Sequence, residues 1–249
     1  FGEDEAGEIY MADYNRGVIR RLAADPPKLA VAAVVSGADF TAAGAPGAIM
    51  TLFANAIPGV ENVIAASRYP LPTTLGGVTV RVNGVAAPLY AVTPFQINFQ
   101  LPWDVSGEVS VAVSAGGDVA PAFRLRVGAA APALFAVAQR GADSSLISAS
   151  NPAARGEVVV LYASGLGVVS NPPAAGAAAP LSPLATVAAA TEVSIGGRAA
   201  RVEFAGLAPV FAGLYQINAV VPPDAGTGDL EVVVRVGGVS SAPLRIRVR

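Results

Sequence analysis

Phe95-Gln96-Ile97-Asn98-Phe99-Gln100-Leu101-Pro102 decides the reading of this chain, because it returns as Tyr215-Gln216-Ile217-Asn218-Ala219-Val220-Val221-Pro222. Each copy is an aromatic residue, then Gln-Ile-Asn, a short alternating run and a proline stop. Side chains alternate across a strand, so Ile97, Phe99 and Leu101 are expected to face a core, while Gln96, Asn98 and Gln100 face outward or into an edge loop. The duplicated amides Gln96, Asn98, Gln216 and Asn218 allow two readings. As a structural motif they satisfy backbone groups of a nearby loop; as a site they offer polar contacts to a ligand such as a sugar.

Working outward, the same order of strands appears on both sides of a boundary near Gly128-Ala-Ala-Ala-Pro132. Gly47 to Ala54 is answered by Gly156 to Ala163, and Val78 to Gly84 by Glu192 to Gly197. Ala86 to Tyr90 is answered by Ala199 to Phe204. The hairpins Glu108–Ser114/Ala122–Val127 and Leu230–Val236/Leu244–Arg249 close the two halves through Gly-Gly turns. Leu29 to Val35 reads as the first strand of the first half, and Val85 to Val92 as one returning strand. A period of about a hundred residues with about seven strands in each points to two immunoglobulin-like β-sandwiches. No segment keeps a helical period, and Pro172 to Pro183 reads as a loop.

Residues 1–25 have no duplicate. They open with an acidic block, Glu3, Asp4, Glu5 and Glu8. A hairpin follows: strand Glu8–Asp13, turn Tyr14-Asn15-Arg16-Gly17, strand Val18–Leu22. An isolated two-stranded hairpin is marginal in water, so this one is expected to pair with something. Asp25-Pro26-Pro27 reads as a stiff linker. The expected division is therefore 1–25 as an N-terminal hairpin, 28–128 as the first sandwich and 129–249 as the second.

Composition narrows the chemistry. The chain has no His and no Cys, which excludes imidazole acid–base machinery, thiol nucleophiles and thiolate metal sites. Its net charge of −2 gives no footprint for nucleic acid. No apolar run reaches the length of a membrane-spanning helix. Gly-x-Ser-x-Gly is absent, Asp118, Asp143, Asp224 and Asp229 are scattered among turns, and Ser164 and Ser240 read as turn or edge residues. The acidic block lacks the Asp-x-Asp-x-Asp-Gly pattern of a calcium loop and reads as a solvated face. No catalytic residue, cofactor or metal site is expected. Phe1-Gly-Glu-Asp lacks an initiator Met and is no signal peptide, which suggests a processed product or part of a longer chain.

Two further patterns bear on partners. Arg245, Arg247 and Arg249 share one face of the last strand, as Arg124 and Arg126 do in the first half. Such a stripe either blunts a sheet edge or meets an acidic partner. Only 14% of residues are charged against 53% hydrophobic, so either two β cores absorb the apolar residues or a partner covers some of them. Tyr69, Tyr90 and Trp103 are the nominees for an aromatic sugar-stacking platform.

The stretches GGVTVRVNGVAAPLYAVTPFQINFQLPW, GEVVVLYASGLG, SIGGRAARVEFAGLAPVFAGLYQINAVVP and VGGVSSAPLRIRV resemble the Solibacter-type uncharacterised C-terminal domain, related to IPT/TIG immunoglobulin-like folds. The resemblance covers roughly residues 29–249. It implies an Ig-like fold and a secreted bacterial setting, and no chemistry. Phe53-Ala-Asn-Ala-Ile-Pro58 departs from the Gly-containing strand exit that Ala163-Ser-Gly-Leu-Gly167 keeps. FGEDEAGEIYMADYNRGVIRRL, in turn, is similar to the last blade of the propeller in soluble glucose/sorbosone dehydrogenase-like proteins, whose catalytic and quinone-binding residues have no counterpart positions here.

The expectation is an all-β, non-catalytic, extracellular structural module. It would self-associate, as a homo-oligomer or filament, through the N-terminal hairpin, with Ile9, Tyr10, Met11, Val18, Ile19, Leu22, Arg245, Arg247 and Arg249 as interface candidates. The alternative is an accessory module of a secreted propeller-type sugar dehydrogenase-like protein, with a glycan or cell surface as partner.

Overall fold

The computed structural model describes residues 2–5, 9–22 and 29–249. Phe1, Glu8 and the linker Asp25-Pro26-Pro27 lie outside them. Among the described residues every regular element is a strand. No helix is long and apolar enough to cross a membrane.

β1 (Gly2–Glu3), β2 (Ile9–Asp13) and β3 (Val18–Leu22) form a sheet of their own in that order. The β2–β3 hairpin turns where the sequence places it. Gly17 takes φ 63°, a left-handed conformation that glycine adopts without strain, and its N–H bonds the Asp13 carbonyl at 2.9 Å. The third strand is an addition to the expected two. Gly2 and Glu3 pair with Tyr10 and Ile9, and the Tyr10 hydroxyl donates to the Asp4 carboxylate at 3.1 Å. Part of the acidic block is thus tied into a sheet.

The first half contains β4 (Val31–Ser36), β5 (Ile49–Ala54), β6 (Ile64–Ala65), β7 (Thr79–Val82), β8 (Val85–Ala86), β9 (Leu89–Val92), β10 (Gln96–Gln100), β11 (Gly107–Ala115), β12 (Asp118–Val119) and β13 (Phe123–Val127). One sheet runs β4-β5-β10-β9-β6; the other runs β12-β11-β7-β8, with β13 also paired to β11. Both sheets feed one buried cluster that includes Met50, Leu52, Ile97, Phe99, Val111 and Leu125. Strict alternation does the sorting: in β11, Val109, Val111 and Val113 are buried while Glu108 and Ser110 are exposed. The expected single strand from Val85 to Val92 is two strands. Pro88 has no N–H to give a ladder, and the break falls there.

The second half contains β14 (Ala133–Arg140), β15 (Val158–Ser164), β16 (Thr191–Ile195), β17 (Arg198–Leu207), β18 (Tyr215–Val220), β19 (Gly228–Val236), β20 (Val239–Ser240) and β21 (Leu244–Val248). Their order is β14-β15-β18-β17-β16-β19-β20, with β21 on β19. Here β17 has no proline and runs unbroken, so it pairs with β16 at one end and β18 at the other. β14 is not anticipated from the sequence, because its apolar run follows Pro132 at the point where the halves join. A second buried cluster, with Leu161, Ile195, Tyr215, Ile217 and Val234 at its centre, lies within this half. Neither cluster includes a described residue before Leu29.

Each half also closes on itself in the same way. Gly44 meets Val127, and Ala153 meets Val248, as parallel bridges. Gly44 N–H bonds the Arg126 carbonyl and Gly128 N–H bonds the Gly44 carbonyl; Ala153 repeats both contacts with Arg247 and Arg249.

The strand exits differ as the sequence suggests. Gly165 and Gly167 take φ 74° and 86°, and a Cβ on either would lie 2.2 and 2.3 Å from the carbonyl oxygens of Ala131 and Ala129. In the first half the Asn55 side chain does the clipping instead, accepting from Ala30 N–H at 2.8 Å.

Ile217 and Ile97 are fully buried at equivalent positions. Replacing either by Ala is expected to lower stability by about 2–5 kcal/mol, read from the urea midpoint, whereas Val119→Ala in the exposed strand β12 should stay within about 0.5 kcal/mol.

Candidate functional site

The two Gln-Ile-Asn motifs place their amides on the outer face of a sheet, and there the amides bond each other. Gln96 Nε2 donates to Asn98 Oδ1 at 2.8 Å, and Gln216 Nε2 donates to Asn218 Oδ1 at 2.9 Å. Neighbouring loop backbone, the expected partner, is not used, because residues two apart on a strand already stand side by side. Each pair has an aromatic beside it: Gln96 lies opposite Phe53, and Gln216 opposite Tyr162. Thr51 Oγ1 donates to Asn98 Oδ1 at 3.1 Å, whereas Asn218 lies opposite Val160, which has nothing to donate.

Gln100 departs from expectation. It is 1% exposed, because the face it points to is covered by the second half. Its Nε2 donates to the Gly47 carbonyl at 3.3 Å, and its Oε1 accepts from Gly176 N–H at 2.7 Å. Gly176 returns its carbonyl to Leu71 N–H at 2.8 Å. Ser164, expected in a turn or at an edge, is buried in the same joint. Its hydroxyl accepts from Ile49 N–H at 2.9 Å and donates to the Ile49 carbonyl at 3.2 Å. Tyr215 Oη donates to the Gly167 carbonyl and reaches that of Pro46 at 3.4 Å. Gly213 has φ 56°, and a Cβ there would lie 2.7 Å from Gln100 Nε2 and 2.8 Å from the Gly47 oxygen.

Two of the three aromatic nominees belong to this joint. Tyr90 donates its hydroxyl to the Ala212 carbonyl at 2.8 Å. Trp103 packs against the second core and over Gly47, and its buried Nε1 has no partner among the described residues. Both keep part of their surface exposed, with the rest committed to the joint. Tyr69 remains partly exposed beside a cleft formed by residues 65–75. Burial pushes the phenols of Tyr90 and Tyr215 well above the ordinary tyrosine value, and for Tyr90 the neighbouring Tyr69 and Tyr215 add to it.

The basic stripe is answered within its own sheet. Register sets Arg245 opposite Glu231 and Arg247 opposite Asp229, and both pairs form, at 3.4 and 3.2 Å. Arg124 pairs with Glu108 diagonally, since register sets Ser110 opposite it. Exposed pairs of this kind contribute about 0–1 kcal/mol each, and they leave Arg245 and Arg247 already matched before any partner arrives. In the N-terminal sheet Ile9, Val18 and Ile19 are 47%, 42% and 75% exposed, and Tyr10 and Met11 are half-buried.

Two duplicated features escape a reading for strands alone. Ser36-Gly-Ala-Asp-Phe-Thr41 and Arg140-Gly-Ala-Asp-Ser-Ser145 form the same turn. Asp39 accepts from Thr41, and Asp143 from Ser145, through both N–H and hydroxyl. Those two bonds hold the Asp143 carboxyl below its ordinary range. The residue between takes φ 61° at Phe40 and 59° at Ser144. The shared Gly-Ala-Asp could have revealed this turn. The second feature is a β-bulge, at Tyr90 between Leu89 and Ala91, and at Glu203 between Val202 and Phe204. No residue pattern marks it.

No protein family and no curated protein matches the chain by sequence. Among solved structures it is similar to the surface glycan-binding protein PbSGBP-B from Prevotella bryantii, at 12% identity and TM-score 0.28, over 90% of this chain and 43% of that one. A Bacteroides ovatus SGBP-B in complex with a mixed-linkage heptasaccharide gives 14% and 0.33, over 93% and 50%. Domains 5–6 of the S-layer protein SbsC give 14% and 0.25, over 90% and 98%. The chain thus spans half or less of the first two proteins.

Gln100→Leu keeps the volume but strands the Gly176 N–H, and should cost about 1–3 kcal/mol in chemical denaturation. The tyrosines give a second test. A phenol whose folded pKa is raised contributes stability that is intact below the unfolded value of about 10 and falls as pH rises past it. Stability should therefore drop above about pH 10, and absorbance titration should show two of the six tyrosines ionising only with unfolding.

Proposed function

We propose that the chain is a non-catalytic extracellular structural module. Two IPT/TIG-like immunoglobulin sandwiches, residues 28–128 and 129–249, act as a stiff spacer, and the N-terminal sheet joins copies by β-augmentation. The observation that carries this reading is the edge of β3. Among the described residues β3 ends the order β1-β2-β3, with β2 on one side and no strand on the other, so a further strand can be added at that edge. Exposed Ile9, Val18 and Ile19 supply apolar contacts beside that edge. The matched arginines of β21 take no part in this scheme; edge pairing replaces charge as the joining force.

A second reading is favoured by the meander order β1-β2-β3, since propeller blades are built from successive antiparallel strands. In it the chain is the accessory part of a secreted sugar dehydrogenase-like protein, and β3 or β1 pairs with strands of the same polypeptide. Intact mass of the natural product separates the two: blades preceding Phe1 support the second reading.

Removing residues 1–25 tests the first. Because neither core includes a described residue from this segment, the truncated chain should fold with an unchanged denaturation midpoint. By sedimentation velocity the full chain should show concentration-dependent association and the truncated chain a monomer. Equal association of both, or a full chain that stays monomeric, would refute the role of the sheet.

A further inference from the structure

The amide-and-aromatic face is present twice, and the two copies differ in whether they are covered. In the first half Phe40 occupies the left-handed slot of the Gly-Ala-Asp turn and packs against Phe53, with ring centroids 6.1 Å apart. Thr51 meanwhile uses the Asn98 oxygen. In the second half the same slot holds Ser144, and Tyr162 stands where Phe53 does. A concavity of about 550 Å³ lies there, lined by Gln139, Ser144, Tyr162, Glu203, Gln216 and Asn218.

We infer that this concavity binds a neutral saccharide. Tyr162 and Val160 point outward as an apolar strip, and polar groups stand on both sides of it. Gln139 lies opposite Val160 on β14, and Asn218 opposite Val160 on β18. The bulge in β17 sets Glu203 at the rim. Hydrogen-bonding capacity is left over. Tyr162 Oη donates to Gln139 Oε1 at 3.0 Å and Gln216 Nε2 to Asn218 Oδ1, while the Gln139 amide nitrogen, Gln216 Oε1 and Asn218 Nδ2 take no partner among the described residues. A ring with C–H groups on one face and hydroxyls around its edge matches an aromatic strip bordered by neutral amides.

Other ligand classes fit less well. The backbone groups of β15 and β18 are engaged in the ladder on both sides, so a peptide cannot add there as a strand. The two lining carboxylates are already matched: Glu157 with Arg140, whose Nε lies 2.5 Å away, and Glu203 with Arg201 at 2.9 Å. The lining holds no Lys or Arg to receive a uronic acid.

The test uses the full chain with cellohexaose, mannohexaose and xylohexaose, and trigalacturonate as the charged control, by saturation-transfer NMR and calorimetric titration. At least one neutral hexasaccharide should bind in the millimolar range or tighter, and trigalacturonate should not. Tyr162→Ala removes the stacking surface, and Ser144→Phe covers it with the residue the first half already carries on the same backbone. Each should weaken binding about tenfold or more. Val119→Ala, exposed on the other half, should leave binding unchanged. If Tyr162→Ala fails to fold, Ser144→Phe decides, because its backbone slot already accepts Phe. Binding of none of the three, binding indifferent to Ser144→Phe, or preference for trigalacturonate would overturn the assignment.

Discussion

One buried side chain, Gln100, sets the relation of the two halves. Its amide spans from the Gly47 carbonyl to the Gly176 N–H, and both contacts lie out of reach of water. A buried amide left unbonded is expensive, so the halves cannot slide or tilt without losing more than apolar contact. Ser164, Tyr215 and Tyr90 repeat the constraint at separate points around the same joint. Packing is fitted to those bonds. Gly213 and Gly47 are required because a methyl group would run into Gln100 at the first and the Trp103 ring at the second. The joint is therefore specified by polar geometry, with apolar burial filling in around it.

The duplication explains how this arose without new elements. Both halves carry the same bulge. In the first it turns Tyr90 into the joint, and in the second it leaves Glu203 on the surface. Both carry the Gly-Ala-Asp turn, with Phe40 covering its sheet and Ser144 leaving its sheet open. Both carry the strand that ends in Gln100 or Val220, yet only Gln100 bridges the halves. Identical backbones have thus been assigned to attachment in one copy and to open surface in the other, by single side chains.

Much of the fold is legible in the sequence because alternation and Gly-Gly turns are local signals. Ile97 and Ile217 fall in two separate cores, as period-two patterning requires, and the hairpin through Gly17 stands where its turn residues put it. What is hidden depends on contacts between distant segments. Nothing in Gln100 says that its outward face is covered, and nothing in Tyr90 says that a bulge turns it toward Ala212. The same applies to Arg245 and Arg247: the stripe is visible, but its match to Glu231 and Asp229 depends on strand register. Pro88 was legible in principle, since a proline cannot sit unremarked inside a ladder. The open face over Tyr162 depends on one residue, Ser144 in place of Phe40, in turns that share only Gly-Ala-Asp.

The closing bridges of each half have a mechanical meaning. Gly44 is held by Arg126 and Gly128, and Ala153 by Arg247 and Arg249, in parallel alignment between an early segment and the final strand. Tension passing along the polypeptide crosses such a pair lengthwise, so its two bonds are strained together. An antiparallel hairpin pulled from its open end yields one bond at a time. Both halves therefore carry the same lengthwise clamp, one near Gly44 and one near Ala153.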